Sequence, residues 1–245
     1  MIETRGLRKR YGRVEVLRGL DLAVRPGRVT AVVGPNSAGK TTLIKSMLGL
    51  VHPDAGTILF DGRPVRPDGR YRARVGYMPQ VARFPDNLTG TELVEMLGEL
   101  RRDGDGAVAR PRDEELLDRF DLAPHLQKPL RALSGGTRQK INAVLAFLFT
   151  PDLLILDEPT SGLDPVSSGA LKDKVRAARD AGRTVLVTSH VLSELEELAD
   201  DVVFLVEGVA AFVGSAAELA SETGEARLER AVAKMMLRQS LRIVA

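Results

Sequence analysis

A chain of 245 residues is long enough for one large domain or for two lobes sharing a sizeable core. The absence of cysteine excludes disulfides and thiolate metal sites, and the three histidines, His52, His125 and His190, show no metal-ligand spacing. A net charge of +2, with 28% charged and 44% hydrophobic residues, describes an ordinary globular surface, and three Tyr, seven Phe and no Trp leave little for stacking on bases, which argues against a nucleic-acid partner.

In chain order, the opening "MIETRGLRKRYG" lacks the apolar core of a signal peptide. Short β-like runs follow, "VEVLRGLDLAV", "RVTAVVG" and "GTILFDG", separated by the turns "RPGR" and "HPDAG". Between the second and third, "KTTLIKSMLGL" has helical spacing, with Leu43, Ile44, Met47, Leu48 and Leu50 expected on one side. From about residue 85 the pattern turns helical. "TGTELVEMLGELRR" and "RDEELLDRFDL" carry charged faces and are joined by "DGDGAVARPRD"; the segment ends with the helix after "LSGG". From about residue 151 strands and helices alternate again: "DLLILD" is a buried strand, "VSSGALKDKVRAARDAG" a helix, "TVLVTSH" a buried strand and "VLSELEELADD" a helix. Two short strands are expected near "VVFLVEGVAAFVG", then a partly amphipathic helical tail, read as a packing helix in preference to one lying on a membrane because its apolar face is narrow. The apolar stretches are too short or too interrupted to span a bilayer, so the protein is expected on the cytoplasmic side.

Four stretches carry chemistry. "GPNSAGKT", from Gly34 through Pro35, Asn36, Ser37, Ala38, Gly39 and Lys40 to Thr41, fits G-x-x-x-x-G-K-[ST] between a buried strand and a helix that continues with Thr42. Backbone amides lining such a loop, with the helix dipole behind them, hold a polyphosphate; Lys40 reaches the β and γ phosphates, and the Thr41 hydroxyl is a Mg²⁺ ligand. "DLLILDEP" brings Asp157 out at the carboxyl end of a strand, where it would hold Mg²⁺, with Glu158 beside it to polarise an attacking water. His190 ends the strand "TVLVTSH" and is placed to hydrogen-bond a γ phosphate. "LSGGTRQK" opens a helix with Ser134 as cap and Gly135 and Gly136 exposing the backbone, a second anion-binding start. The plainer alternatives are a glycine turn, two acids capping a turn, a structural histidine and an ordinary capped helix. One nucleotide needs one phosphate loop, so the second start makes sense if it serves the nucleotide of another copy packed head to tail about a twofold axis.

Taken together and in this order, "GPNSAGKT", "PQ" at 79–80, "LSGGTRQK", "LLILDEP", "SGLD" at 161–164 and His190 resemble the ATP-binding subunit of ABC transporters over roughly residues 1–215. The resemblance implies an α/β fold, a P-loop NTPase of ABC type with a RecA-like core, an N-terminal antiparallel β part and an inserted helical subdomain at about 85–150. Residues 216–245 would form a C-terminal helical tail. It further implies a homodimer around two ATP with Mg²⁺. Tyr11 would stack on adenine, and Gln80 would sense Mg²⁺ and touch the membrane partner. Ser134 and Gly136 would contact the γ phosphate of the opposite copy, and Asp164 would relay across the interface. Glu158 would be the general base and His190 the γ-phosphate switch.

Two positions depart from the family pattern. Ser37 stands where glycine is common, a cost of about 1 kcal/mol if that position needs a positive φ. Thr137 replaces a common glutamine. The work of such an ATPase is done on a separate integral-membrane permease, which would hold this chain at the cytoplasmic face of the inner membrane. "YMPQVARFPDNLTGTELVEML" is similar to subunits serving ABC-2 type permeases. More narrowly, "LSGGTRQKINAVLAFLF", "TSHVLSELEELADDVVFLVEG" and "TGEARLERAVAKMM" resemble the ATPase of the copper-processing transporter that matures nitrous-oxide reductase, implying a periplasmic maturation protein as a further partner. The competing classes are a general ABC-2 exporter ATPase, a soluble non-transport ABC ATPase, and a nucleotide-binding module that does not hydrolyse.

Overall fold

In a computed structural model, which describes residues 1–102 and 111–244, ten strands and eight α-helices are found among the described residues. The first half runs β1 (Ile2–Tyr11), β2 (Val14–Val24), β3 (Val29–Val33), α1 (Lys40–Met47), β4 (Ala55–Phe60), β5 (Arg63–Pro64), β6 (Val75–Met78), α2 (Gly90–Arg102) and α3 (Glu115–Arg119). Then come α4 (Gly135–Phe147), β7 (Leu153–Asp157), α5 (Pro165–Asp180), β8 (Thr184–Thr188), α6 (Leu192–Leu198), β9 (Asp201–Val206), β10 (Val209–Ser215), α7 (Ala216–Thr223) and α8 (Leu228–Val244). The chain divides into two compact units, Met1–Gly69 with Leu186–Ala245, and Arg70–Val185.

The first unit holds an antiparallel sheet in the order β2-β1-β4-β5. Ile2, Thr4 and Leu7 are the buried positions of β1, and Leu17, Leu20, Leu22 and Val24 those of β2. β1 was not foreseen as a strand. Its alternation is broken by register shifts against β2 after Thr4, Leu7 and Lys9, and Gly6 has a positive φ of 58°. The same unit pairs β3 with β9 in parallel and β9 with β10 antiparallel. Every residue of β3 is buried, as befits a strand, apolar but for Thr30, that is covered on both faces. α1 buries Leu43, Ile44 and Met47, and Leu48 at its C-cap. Leu50, expected on that side, is instead 58% exposed, because the helix ends before it and Gly49 turns the chain with φ 66°. The tail is two helices, broken at Gly224, whose φ of 70° ends α7. α8 packs on α6 and α7 through Leu228, Ala231, Val232 and Met235, in keeping with a packing role.

The second unit pairs β6 with β7 in parallel, Val75 beside Leu153 through Met78 beside Leu156. α4 packs on β6, and α3 packs on both α4 and α5. Lys174 of α5 is only 6% exposed, and its ammonium is matched by Asp113 at 2.7 Å and Glu115 at 2.6 Å, the pairing that a buried charge demands. Most of the expected joint "DGDGAVARPRD", residues 103–110, lies outside the described residues. β8, buried throughout, carries the chain from the second unit back to the first.

β6 was also unforeseen, being four residues long and containing Gly76. That glycine is a steric necessity: a Cβ there would lie 2.1 Å from the Ala146 carbonyl oxygen and 2.7 Å from Pro151 Cγ. Gly76→Ala is expected to destabilise the chain by roughly 2 kcal/mol through overpacking. Urea unfolding checks this, and an unchanged midpoint would show that α4 does not press on β6.

Candidate functional site

The phosphate loop follows from the ladder that precedes it. β3 runs beside β9 as far as Val33 opposite Phe204, so the next residue, Gly34, meets the backbone of Leu205. A Cβ on Gly34 would come 2.0 Å from the Leu205 carbonyl oxygen, and φ here is 153°, so only glycine fits. The loop then bends through Ser37 at φ 67° and Gly39 at φ 105° into α1, whose N-terminus has no side-chain cap. Ser37 therefore occupies the left-handed region at a cost of about 1–2 kcal/mol. The Lys40 ammonium folds over the loop, donating to the carbonyls of Gly34 at 2.6 Å and Pro35 at 3.1 Å, and the Ala38 N–H closes a turn on Pro35. Pro35, Asn36, Ser37 and Thr41 are exposed, and Thr42 is partly so. β2 lines the loop, since a Cβ on Gly39 would meet Val16 O and Leu17 Cδ2 at 3.0 Å each. Tyr11 stands at the tip of the β1–β2 hairpin, 48% exposed, with the Lys9 ammonium 5.5 Å from its ring centre. His190, in the same unit, is exposed just beyond β8.

The other predicted residues belong to the second unit. With Met78 beside Leu156, Pro79–Gln80 and Asp157–Glu158 occupy the same end of the β6–β7 ladder. Asp157 and Glu158 are 6% and 8% exposed, while Gln80 is exposed. Glu158 has φ 52°, a left-handed conformation that a long side chain adopts at a cost. Burial, and then the nearby charge of Asp157, push the Tyr77 hydroxyl up to about 12. Ser134 caps α4, its Oγ accepting from the Thr137 N–H at 3.1 Å. The Thr137 hydroxyl lies 2.8 Å from that same Oγ, so the residue that departs from the family pattern reinforces the cap. Gly135 is exposed with nothing within 4 Å of a notional Cβ, and a Cβ on Gly136 would lie 3.1 Å from the Gly162 carbonyl oxygen, which sets the start of α4 beside the "SGLD" turn. Asp164 caps α5 through the Ser167 N–H at 2.9 Å and hydroxyl at 2.7 Å, and meets Lys140 of α4 at 3.0 Å.

A sequence model described as "ABC transporter" matches residues 17–161. The chain belongs to the ABC transporter family. It is 41% identical over 225 residues to the daunorubicin resistance ATP-binding protein DrrA3 of Streptomyces coeruleorubidus, covering 91% of this chain and 71% of that protein. It is 37% identical to the Nod factor export ATP-binding protein I of Ralstonia nicotianae, covering 85% of this chain and 65% of that one. About a third of each relative's length thus lies outside the match. A solved structure of the ATP-binding subunit of an ABC transporter superposes with a TM-score of 0.88 at 29% identity, covering 96% of this chain and 99% of the other. The fold is that of an ABC ATPase, with an antiparallel N-terminal sheet and a parallel phosphate-loop sheet, and the chain is an ABC ATPase domain.

Two residues within this ABC domain escaped the sequence reading. Asn142 and Gln139, on α4, are 1% and 8% exposed; Asn142 donates to the Pro79 carbonyl at 2.9 Å and to Gln139 Oε1 at 3.4 Å. Gln139 Nε2 is buried with no partner among the described residues, a cost of about 1–3 kcal/mol. The available signal was an asparagine inside the otherwise apolar run "INAVLAFLF".

The Asp164 carboxyl is held far below its ordinary value of 3.8, first by the Ser167 N–H, then by the Ser167 hydroxyl and by Lys140. A depressed folded value means that the stabilisation is fully present above the ordinary value and is lost as pH falls through the folded one. Asp164→Asn keeps a capping oxygen but not the charge. The stability gap between parent and variant, followed by urea unfolding, should be widest near neutrality and narrow steadily as pH falls below about 5. A gap independent of pH would remove the ionised carboxylate as its cause.

Proposed function

We propose that the chain is the ATP-hydrolysing subunit of an ABC-2 type exporter, acting as a homodimer that drives a separate membrane permease. The observation that carries this reading is the presence of two anion-ready helix starts in one chain. One is the phosphate loop before α1; the other is the exposed Ser134–Gly135–Gly136 start of α4, where Gly135 meets nothing of its own chain within 4 Å. Two copies placed head to tail would let each α4 start complete the other's nucleotide site.

In this reading the amides of residues 34–42 and the Lys40 ammonium bind the β and γ phosphates, while Tyr11 stacks on the base. Glu158 accepts the proton of the water that attacks the γ phosphorus; the bond to the leaving ADP oxygen breaks, and phosphate departs. His190 holds a γ-phosphate oxygen, Ser134 and Gly136 hold it from the partner copy, and Asp164 relays between the copies. The donor chemistry fits Mg²⁺. The family resemblance assigns Thr41, Asp157 and Gln80 to it, and their hard oxygens suit an ion that completes its shell with phosphate and water. Bound there, Mg²⁺ would neutralise charge developing on the phosphates.

No described helix is long and apolar enough to cross a membrane. In this reading the chain attaches through the permease, at the cytoplasmic face of the inner membrane. Both relatives reported above are named for drug resistance or export, which favours a general exporter. Neither bears on nitrous-oxide reductase maturation, and the copper reading with its periplasmic partner rests on sequence resemblance alone. Glu158→Gln is expected to lower ATP turnover by roughly 10²- to 10⁴-fold while ATP-dependent dimers accumulate, as read by phosphate release and light scattering. Unchanged turnover would remove Glu158 as the base.

A further inference from the structure

The β6–β7 ladder ends at Met78 beside Leu156, so Pro79 is the first residue beyond its hydrogen bonds. There the bond is supplied from α4: the side-chain amide of Asn142 donates to the Pro79 carbonyl at 2.9 Å, across 63 residues of sequence. That carbonyl belongs to the peptide plane that leads into Gln80, and holding the plane holds the direction in which Gln80 departs. Asn142 is itself oriented, because its donation to Gln139 Oε1 at 3.4 Å fixes which end of the amide faces Pro79. Packing alone gives no reason for an amide at a position 1% exposed within an apolar run. Gln139 lies one helical turn before Asn142 and five residues after Ser134, so one rigid stretch of α4 joins the anion-ready start to the Gln80 loop.

We propose that Asn142, oriented by Gln139, is a positioning residue that tethers the Gln80 loop to α4. A shift at the Ser134–Gly136 start would then be felt at Gln80. The inference rests on the assignment of Gln80 to Mg²⁺ given above and names what positions it.

Two measurements on the full chain test it. Without nucleotide, hydrogen exchange of amides 80–84 should quicken roughly tenfold in Asn142→Ala, while the rest of the chain and its melting temperature stay close to the parent. Second, the Mg²⁺ concentration for half-maximal ATP turnover should rise about fivefold in Asn142→Ala, with no further rise when the change is made in Gln80→Ala. Should Asn142→Ala fold poorly, Asn142→Asp keeps the volume, replaces the donated proton with a lone pair and should give the same pattern. Unchanged exchange at 80–84, or the same fivefold rise with Gln80 already removed, overturns the tether and leaves Asn142 a packing residue. A Gln80→Ala chain with the parent's Mg²⁺ requirement overturns the Gln80 assignment instead.

Discussion

Two parallel ladders decide where the chemistry of this ABC domain emerges. Along β3 and β9 the register brings Gly34 against the Leu205 carbonyl, leaving no room for a side chain as the phosphate loop begins. Along β6 and β7 it brings Pro79–Gln80 and Asp157–Glu158 to one end. In each case hydrogen bonding between largely buried, mostly apolar segments fixes a position that no local preference of the loop residues could fix. A slip of one residue would turn every side chain of the strand to its other face, and burial on both faces makes such a slip costly.

Beyond the ladders, the loops hold conformations that their residues would not choose alone. Ser37 and Glu158 both sit at positive φ, and Gln139 keeps a buried donor without a partner among the described residues. Such costs persist only where the surroundings over-determine them. For Ser37 those surroundings are Gly34 locked against β9 and Lys40 strapped across the loop carbonyls. For the α4 start they are a doubled cap from Ser134 and Thr137 and the close approach of Gly136 to Gly162. Asp164 is bound into the same cluster by Lys140 and its own helix cap, so the turn that carries it and the start of α4 are mechanically one piece.

Much of this was legible in the sequence, and the gaps have physical causes. β7 and β8 announced themselves by the apolar cores of buried strands, β3 as a short β-like run, and the phosphate loop by its glycine and lysine spacing. β1 was hidden because bulges spoil its period, and β6 because four residues with a glycine carry too little pattern. The tail read as one helix since periodicity says nothing of Gly224 turning left-handed within it. Leu50 was assigned to the buried side by extending a helix past its end. Of the site, the residues with motif spacing were named in advance. Asn142 was not, because its meaning lies in a carbonyl on a distant strand end, and no local pattern records that.

The central claim is that the α4 start of one copy serves the phosphate loop of another, and the lack of cysteine allows it to be read directly. Asn36 and Gly135 are both exposed, and a side chain at Gly135 meets nothing of its own chain. Chains carrying Asn36→Cys alone and chains carrying Gly135→Cys alone, each also bearing Glu158→Gln, would be mixed under mild oxidation with and without ATP and Mg²⁺. The account predicts a disulfide-linked dimer that needs both variants and ATP. No link in the mixture with ATP, or the same yield without it, would contradict it.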